Sequence, residues 1–183
     1  MAILGTTALR KEWAPACTGP WAKVSLYGSG VISVRPAIYN AVAALNNCLV
    51  AHNYKTRKAD TGAYNCRKIT GGSGYSLHAY GIAIDINWQT NPYGPRLVTD
   101  MPSAMRTAIK AIRTNSGHQV WGWGGDYRTN KDAMHFEIVC TRAQLATGIN
   151  LSTVPGSKPK PKPVYKTFVM GATDEAIAAV GGE

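Results

Sequence analysis

Two short stretches constrain this chain more than anything else in it. The first is Ser76-Leu-His78-Ala-Tyr80-Gly81-Ile-Ala83-Ile-Asp85, and the second is Asp132-Ala-Met-His135-Phe-Glu137. Between them they offer two imidazoles and a carboxylate, with further carboxylates alongside. Zinc takes nitrogen and oxygen donors in a tetrahedral set, and a catalytic zinc keeps one position open for water. His78, Asp85 and His135 fill three positions and leave the fourth free. Around Asp85, the isoleucines Ile82, Ile84 and Ile86 alternate with small or polar residues, which predicts a short strand with one face buried. Ala83, Asp85 and Asn87 are then expected on the opposite face. The run 134–139 reads as a second strand, with His135 and Glu137 on one face and Phe136 and Ile138 on the other.

These residues carry a family resemblance. Ser76-x-His78-x-x-Gly81-x-Ala83-x-Asp85 with Asp132-x-x-His135 resembles the bipartite signature of the zinc D,D-peptidases, a family that includes VanY-type carboxypeptidases, VanX-type dipeptidases and phage L-alanyl-D-glutamate endolysins. The tract Trp123-Gly-Gly-Asp126-Tyr127 ahead of the second motif is similar to the endolysin and VanY branch. The likeness runs from about Val31 to Ile149. It implies one zinc ion on His78, Asp85 and His135, with Asp132 as general base. It also implies an arginine upstream of Ser76 that holds substrate and the developing oxyanion. Arg67 is the first choice for that arginine and Arg57 the second, although the family's Tyr-Arg element is not cleanly present. Glu137 is expected behind a ligand imidazole, and Ser76 is expected to tie its own loop. Tyr80 and Trp123 are expected to bind substrate or support the site. The fold the resemblance implies is α+β and hedgehog/D,D-peptidase-like: a small antiparallel sheet bearing the ligands, packed against two main helices.

The composition agrees with such a domain. The chain has 183 residues and is 45% hydrophobic, enough for one real core. Its formal charge of +10 calls for an anionic partner. No nucleic-acid-binding motif accompanies that charge, so bacterial peptidoglycan is expected rather than nucleic acid. The cysteines, Cys17, Cys48, Cys66 and Cys140, form no close pair of metal-ligand spacing. They read as buried thiols or at most one bridge. No apolar run is long enough to span a membrane. The N-terminal residues lack the basic and apolar regions of a signal peptide. That pattern fits a lysin held in the host cytoplasm until lysis and then acting on the wall, as a monomer.

In chain order, residues 1–30 read as an irregular arm anchored by tryptophans, and 31–154 as the peptidase domain. A helix is expected from Pro36, with Ile38, Val42, Leu45, Leu49 and His52 on one face. Asn91-Pro-Tyr93-Gly-Pro95 marks a loop that forms one wall of a cleft. A second helix is expected from Pro102, with Asp100 as its cap. His52 and His118 are expected away from any metal, and Asp126 in a turn. Trp121 and Trp123 suit either core packing or a platform near the site. Residues 155–163 form a Lys/Pro-rich linker and 164–183 a short tail. The expected function is a zinc-dependent peptidoglycan peptidase, an L-alanyl-D-glutamate endopeptidase by preference over a D-alanyl-D-alanine carboxypeptidase. The rivals are an inactive wall-binding module that kept the zinc pocket and a nucleic-acid-binding protein.

Overall fold

A computed structural model of the chain describes residues 3–28, 31–69 and 72–157. The linker beyond Ser157 and the tail at 164–183 lie outside the described residues. The architecture is α+β. In chain order the elements are α1 (Thr6–Glu12), β1 (Ala22–Ser25), β2 (Val31–Val34), α2 (Tyr39–Ala51), β3 (Ala83–Asp85), β4 (Tyr93–Gly94), α3 (Ser103–Ala111), β5 (Trp121–Trp123), β6 (Lys131–Asp132), β7 (His135–Ile138) and α4 (Arg142–Ala146).

The sheet at the centre has the order β3-β7-β5, antiparallel throughout. Its register sets out the chemistry. Asp85 pairs with His135, Ala83 and Gly122 both oppose Glu137, and Phe136 lies between Ile84 and Trp123. Because side chains alternate across a strand, one face collects Asp85, His135 and Glu137 while the other collects large apolar groups. Ile84, Phe136, Ile138 and Trp121 are fully buried on the apolar side. The helix α2 covers that side with Val42, Leu45 and Leu49, all buried as their spacing predicts. The Trp121 Nε1–H donates to the Ala41 carbonyl at 3.2 Å and locks sheet to helix. Met105 and Ile109 of α3 complete the layer.

Several expectations are corrected. The arm at 1–30 is not simply irregular. It holds α1 and β1, and buries Leu9, Trp13, Val24 and Leu26 in the main core. Its helix packs on the turn that carries His78. The strand after Gly81 stops at Asp85. Asn87 takes a positive φ of 50°, and its amide turns away to bond Arg57 N at 2.7 Å and the Lys55 carbonyl at 3.1 Å. Asn87 therefore does not share the face of Asp85. Asp100 does not cap α3. It accepts from the Tyr54 hydroxyl and from Asn91 instead. The second helix ends at Ala111.

Cys17 and Cys66 form a disulfide, while Cys48 and Cys140 are buried thiols. Burial pushes both thiols up to about 11, so neither is nucleophilic at neutral pH. The bridge spans a sequence separation of 49 and ties the N-terminal segment to the loop just before Arg67. Closing a loop of that length restricts the unfolded chain by about 2–4 kcal/mol. Replacing Cys17 and Cys66 together by serine should therefore lower stability by that amount in chemical denaturation. An unchanged midpoint would show that the bridge does not form in solution.

Candidate metal centre and active site

The site is assembled from three local devices. The first is a single 3-10 turn, Leu77–Tyr80, that carries His78. The Ser76 hydroxyl caps it by accepting from the His78 N–H, and Gly81 ends it with φ at +66°. A side chain at Gly81 is excluded twice over, by that conformation and by the Trp21 ring, which lies 2.5 Å from where a Cβ would sit. The second device is the β3–β7 register, which sets Asp85 directly opposite His135. The third is the close crossing of the 124–126 turn over β6. A Cβ on Gly124 would lie 2.5 Å from the Asp132 carbonyl oxygen, so only glycine lets the two segments meet.

The result is a tight group. His78 Nε2 is 3.1 Å from Asp85 Oδ2 and 3.2 Å from His135 Nδ1, and His135 Nδ1 is 3.0 Å from Asp85 Oδ1. The outer nitrogens are engaged elsewhere. His78 Nδ1 lies 2.6 Å from the Ala63 carbonyl. A carbonyl only accepts, so Nδ1 donates to it and Nε2 is the nitrogen turned toward Asp85 and His135. His135 Nε2 faces Glu137 Oε2 at 3.4 Å. The Ala63 carbonyl behind His78 fixes that ring, and the Glu137 carboxylate lies beside the outer nitrogen of His135.

These residues fit a metal ion. The ligand atoms of His78, Asp85 and His135 all lie within 4.8 Å of one another, and the two imidazoles are buried. Three electron-rich atoms facing each other are mutually repulsive unless a proton or a cation lies between them. The titration behaviour expresses the same fact. Burial disfavours the charged form of His135, but Asp85 and Glu137 more than offset it and push the group up to about 10. Burial likewise opposes ionisation of Asp85, yet hydrogen bonds from His135 and His78 hold it well below the usual carboxylate range. Among the described residues, Glu137 Oε2 and Asp132 Oδ1 are buried without a hydrogen-bond partner. Two such oxygens beside the group are what a cation-centred polar site leaves when only protein atoms are counted.

The group opens into a cleft of about 650 Å³. Asp132 lies in its wall, and burial raises its carboxyl above the usual range. Arg67 and Ser76 line the same cleft. Tyr93 lines it too, from β4, which pairs with β6 at Asp132, so the 88–98 loop does supply a wall. A smaller cavity of about 190 Å³ adjoins the group, lined by the 62–65 segment and Trp88, and it shares Arg67, His78 and Asp85.

Other expected residues fall elsewhere. Arg57 is held by both oxygens of buried Asp60, at 2.9 and 2.6 Å, and does not line the cleft. That fork is saturated by its own carboxylate, which removes Arg57 as a substrate arginine. Tyr80 is buried in the core. Trp123 is buried as well, with Arg106 over its ring at 4.6 Å and its Nε1–H donated to the Ala133 carbonyl at 2.8 Å. It supports the Asp132 loop from behind and offers no platform. Asp126 pairs with Lys110 at the surface. His52 bonds its own helix at the Cys48 carbonyl, and His118 bonds Ser116.

Tyr127 was not singled out by sequence. Its ring lines the cleft, 6.4 Å from that of His135. Burial, then the Glu137 charge, raises its hydroxyl far above the usual range, so it stays a neutral donor. The signal was its place at the end of the Trp123-Gly-Gly-Asp126 tract, where a turn delivers the next side chain to the site.

Residues 70–138 match the family described as D-alanyl-D-alanine carboxypeptidase, of the zinc D,D-peptidases. The match covers both motifs and includes His78, Asp85 and His135. No curated protein and no solved structure matches the chain. No helix among the described residues is long and apolar enough to cross a membrane.

Opposite pH dependences are expected with and without metal. The folded His135 lies above its ordinary value of about 6.5. In the metal-free protein its pairing with Asp85 therefore stabilises fully below that pH and is lost as the pH rises toward about 10. Metal binding must displace that proton, so metal affinity should fall on acidification. Calorimetry of zinc binding in buffers of different ionisation enthalpy should show proton release at pH 7. Binding without proton release would remove His135 from the ligand set.

Proposed function

We propose that this chain is a zinc-dependent peptidase that cleaves the stem peptides of bacterial peptidoglycan, as an L-alanyl-D-glutamate endopeptidase of phage-lysin type. The observation that carries the reading is the His78–Asp85–His135 group in the floor of a cleft, with the raised carboxyl of Asp132 in the wall. The family match supports a zinc D,D-peptidase type of hydrolase at this site. The +10 charge suits a polymer rich in carboxylate and phosphate.

His78, Asp85 and His135 would hold one zinc ion. When bound, it supplies Lewis acidity toward water and the substrate carbonyl. The protein's own groups do the rest. Asp132 takes the proton of the attacking water and passes it to the leaving amine. Burial tunes it for both roles, because a carboxyl raised toward neutrality is a better base when ionised and a competent acid when protonated. Tyr127 and Arg67 line the cleft as hydrogen-bond donors for the oxyanion of the tetrahedral intermediate. Glu137 orients His135, and the Ala63 carbonyl orients His78.

Endopeptidase action is favoured by the extent of the space at the group, since cavities of about 650 and 190 Å³ both have Arg67, His78 and Asp85 in their walls. A carboxypeptidase needs room for only one residue beyond the scissile bond. The family description favours that second reading, trimming of a terminal D-alanine.

Mass spectrometry of fragments released from purified peptidoglycan, with a chelated control, separates the two. Chelator-sensitive products with a new L-alanine carboxyl end are expected, and loss of D-alanine alone would assign the carboxypeptidase. Asp132→Ala should retain zinc and lose turnover by roughly 10²–10⁴-fold, whereas His78→Ala should lose both. Metal content and product release measured on the same preparations check this. Full activity in a zinc-free His78→Ala protein would overturn the proposal.

A further inference from the structure

The cleft has a contributor outside the matched 70–138 segment. Thr6 and Arg10 of α1 line it beside Arg67. They are four residues apart and so share one face of the helix. That helix is firmly placed. Leu9 and Trp13 are buried behind it, Leu4 N–H donates to the Val139 carbonyl at 3.0 Å, and Cys17 is bridged to Cys66. Arg10 Nε donates to the Tyr75 carbonyl at 2.9 Å, one residue before Ser76. Its guanidinium lies over Gly74, where a Cβ would come within 2.6 Å of Nη1. Arg67 is tied to the same backbone from the other strand of that loop, its carbonyl accepting from Ser76 N–H at 3.0 Å.

Neither guanidinium is paired with a carboxylate among the described residues, unlike Arg57. Two cations thus line the cleft that also holds His78, Asp85 and His135, with Arg10 anchored on the Tyr75 carbonyl. Arginine's planar fork suits a carboxylate, and Arg10, half-buried where Arg67 is exposed, meets less competition from water.

We infer that Arg10, together with Arg67, forms an anion subsite that binds a free carboxylate of the substrate and sets which stem peptides are accepted. This rests on the peptidase reading above and adds a specificity residue to it. Stem peptides carry two candidate carboxylates, the α-carboxyl of D-glutamate and the terminal carboxyl of D-alanine.

The test is calorimetric binding of L-alanyl-γ-D-glutamyl-L-lysyl-D-alanine to the zinc-loaded protein, beside two counterparts with one or the other carboxyl amidated. Arg10→Gln should weaken the parent peptide roughly tenfold to a hundredfold. It should leave unchanged the peptide whose recognised carboxyl is amidated, and that arm identifies the carboxylate. Arg10→Lys, which keeps charge and stem but not the planar fork, should recover only part of the affinity, and thermal melting should match the parent protein for both variants. Equal weakening of all three peptides, or none, would overturn the inference. Cleavage of peptidoglycan without carboxylate-dependent binding would leave the peptidase and remove the subsite. Carboxylate-dependent binding without cleavage would do the reverse.

Discussion

Everything at this site depends on one pairing, Asp85 against His135 across the β3–β7 ladder. Directly opposed residues in an antiparallel pair have Cβ atoms about 5 Å apart, close enough for both side chains to converge on one point. A slip of β7 by one residue would turn His135 toward the apolar layer and bring Phe136 out. The core therefore enforces the chemistry. Ile84, Phe136, Ile138 and Trp121 have no other place to be buried, and their burial fixes the face on which the ligands stand.

Around that pairing the polar groups are arranged in depth. The Ala63 carbonyl and Glu137 sit behind the two imidazoles, so the inward nitrogens are defined before a cation arrives. Asp132 is placed by a different route. It sits on a two-residue strand paired with Tyr93, pressed against Gly124, and backed by Trp123 through Ala133. The ligands and the proposed base thus rest on separate supports. This is why a variant at Asp132 can be expected to silence turnover without releasing metal.

Much of this was legible in the residues. The alternation of Ile82, Ile84 and Ile86 located the strand, and the spacing of Val42, Leu45 and Leu49 located the helix behind it. His78, Asp85 and His135 were readable as ligands because few other patterns place two imidazoles and a carboxylate so near buried strands. The errors have one origin. Arg57 was a candidate because an arginine upstream of Ser76 was sought, but an arginine's role depends on which carboxylate it meets, and Asp60 lies only three residues away. Tyr80 was drawn toward the substrate by its aromatic character, while packing took it into the core; Trp123, readable as core or platform, is buried and backs the Asp132 loop. Asn87 was carried one step too far along a strand that ends at a left-handed residue.

What the sequence determined by itself is the local periodicity and the chemical inventory: which residues alternate, which can ligate, and which can donate or accept a proton. Those properties belong to single residues and near neighbours. The tertiary structure alone decided the cross-chain relations. It brought α1 and Arg10 to the cleft, joined Cys17 to Cys66, delivered Tyr127 beside Glu137 and withdrew Arg57 into an ion pair. Each depends on segments distant in sequence, or on competition among alternative partners. Packing of the whole chain resolves that competition, and no local pattern records its outcome.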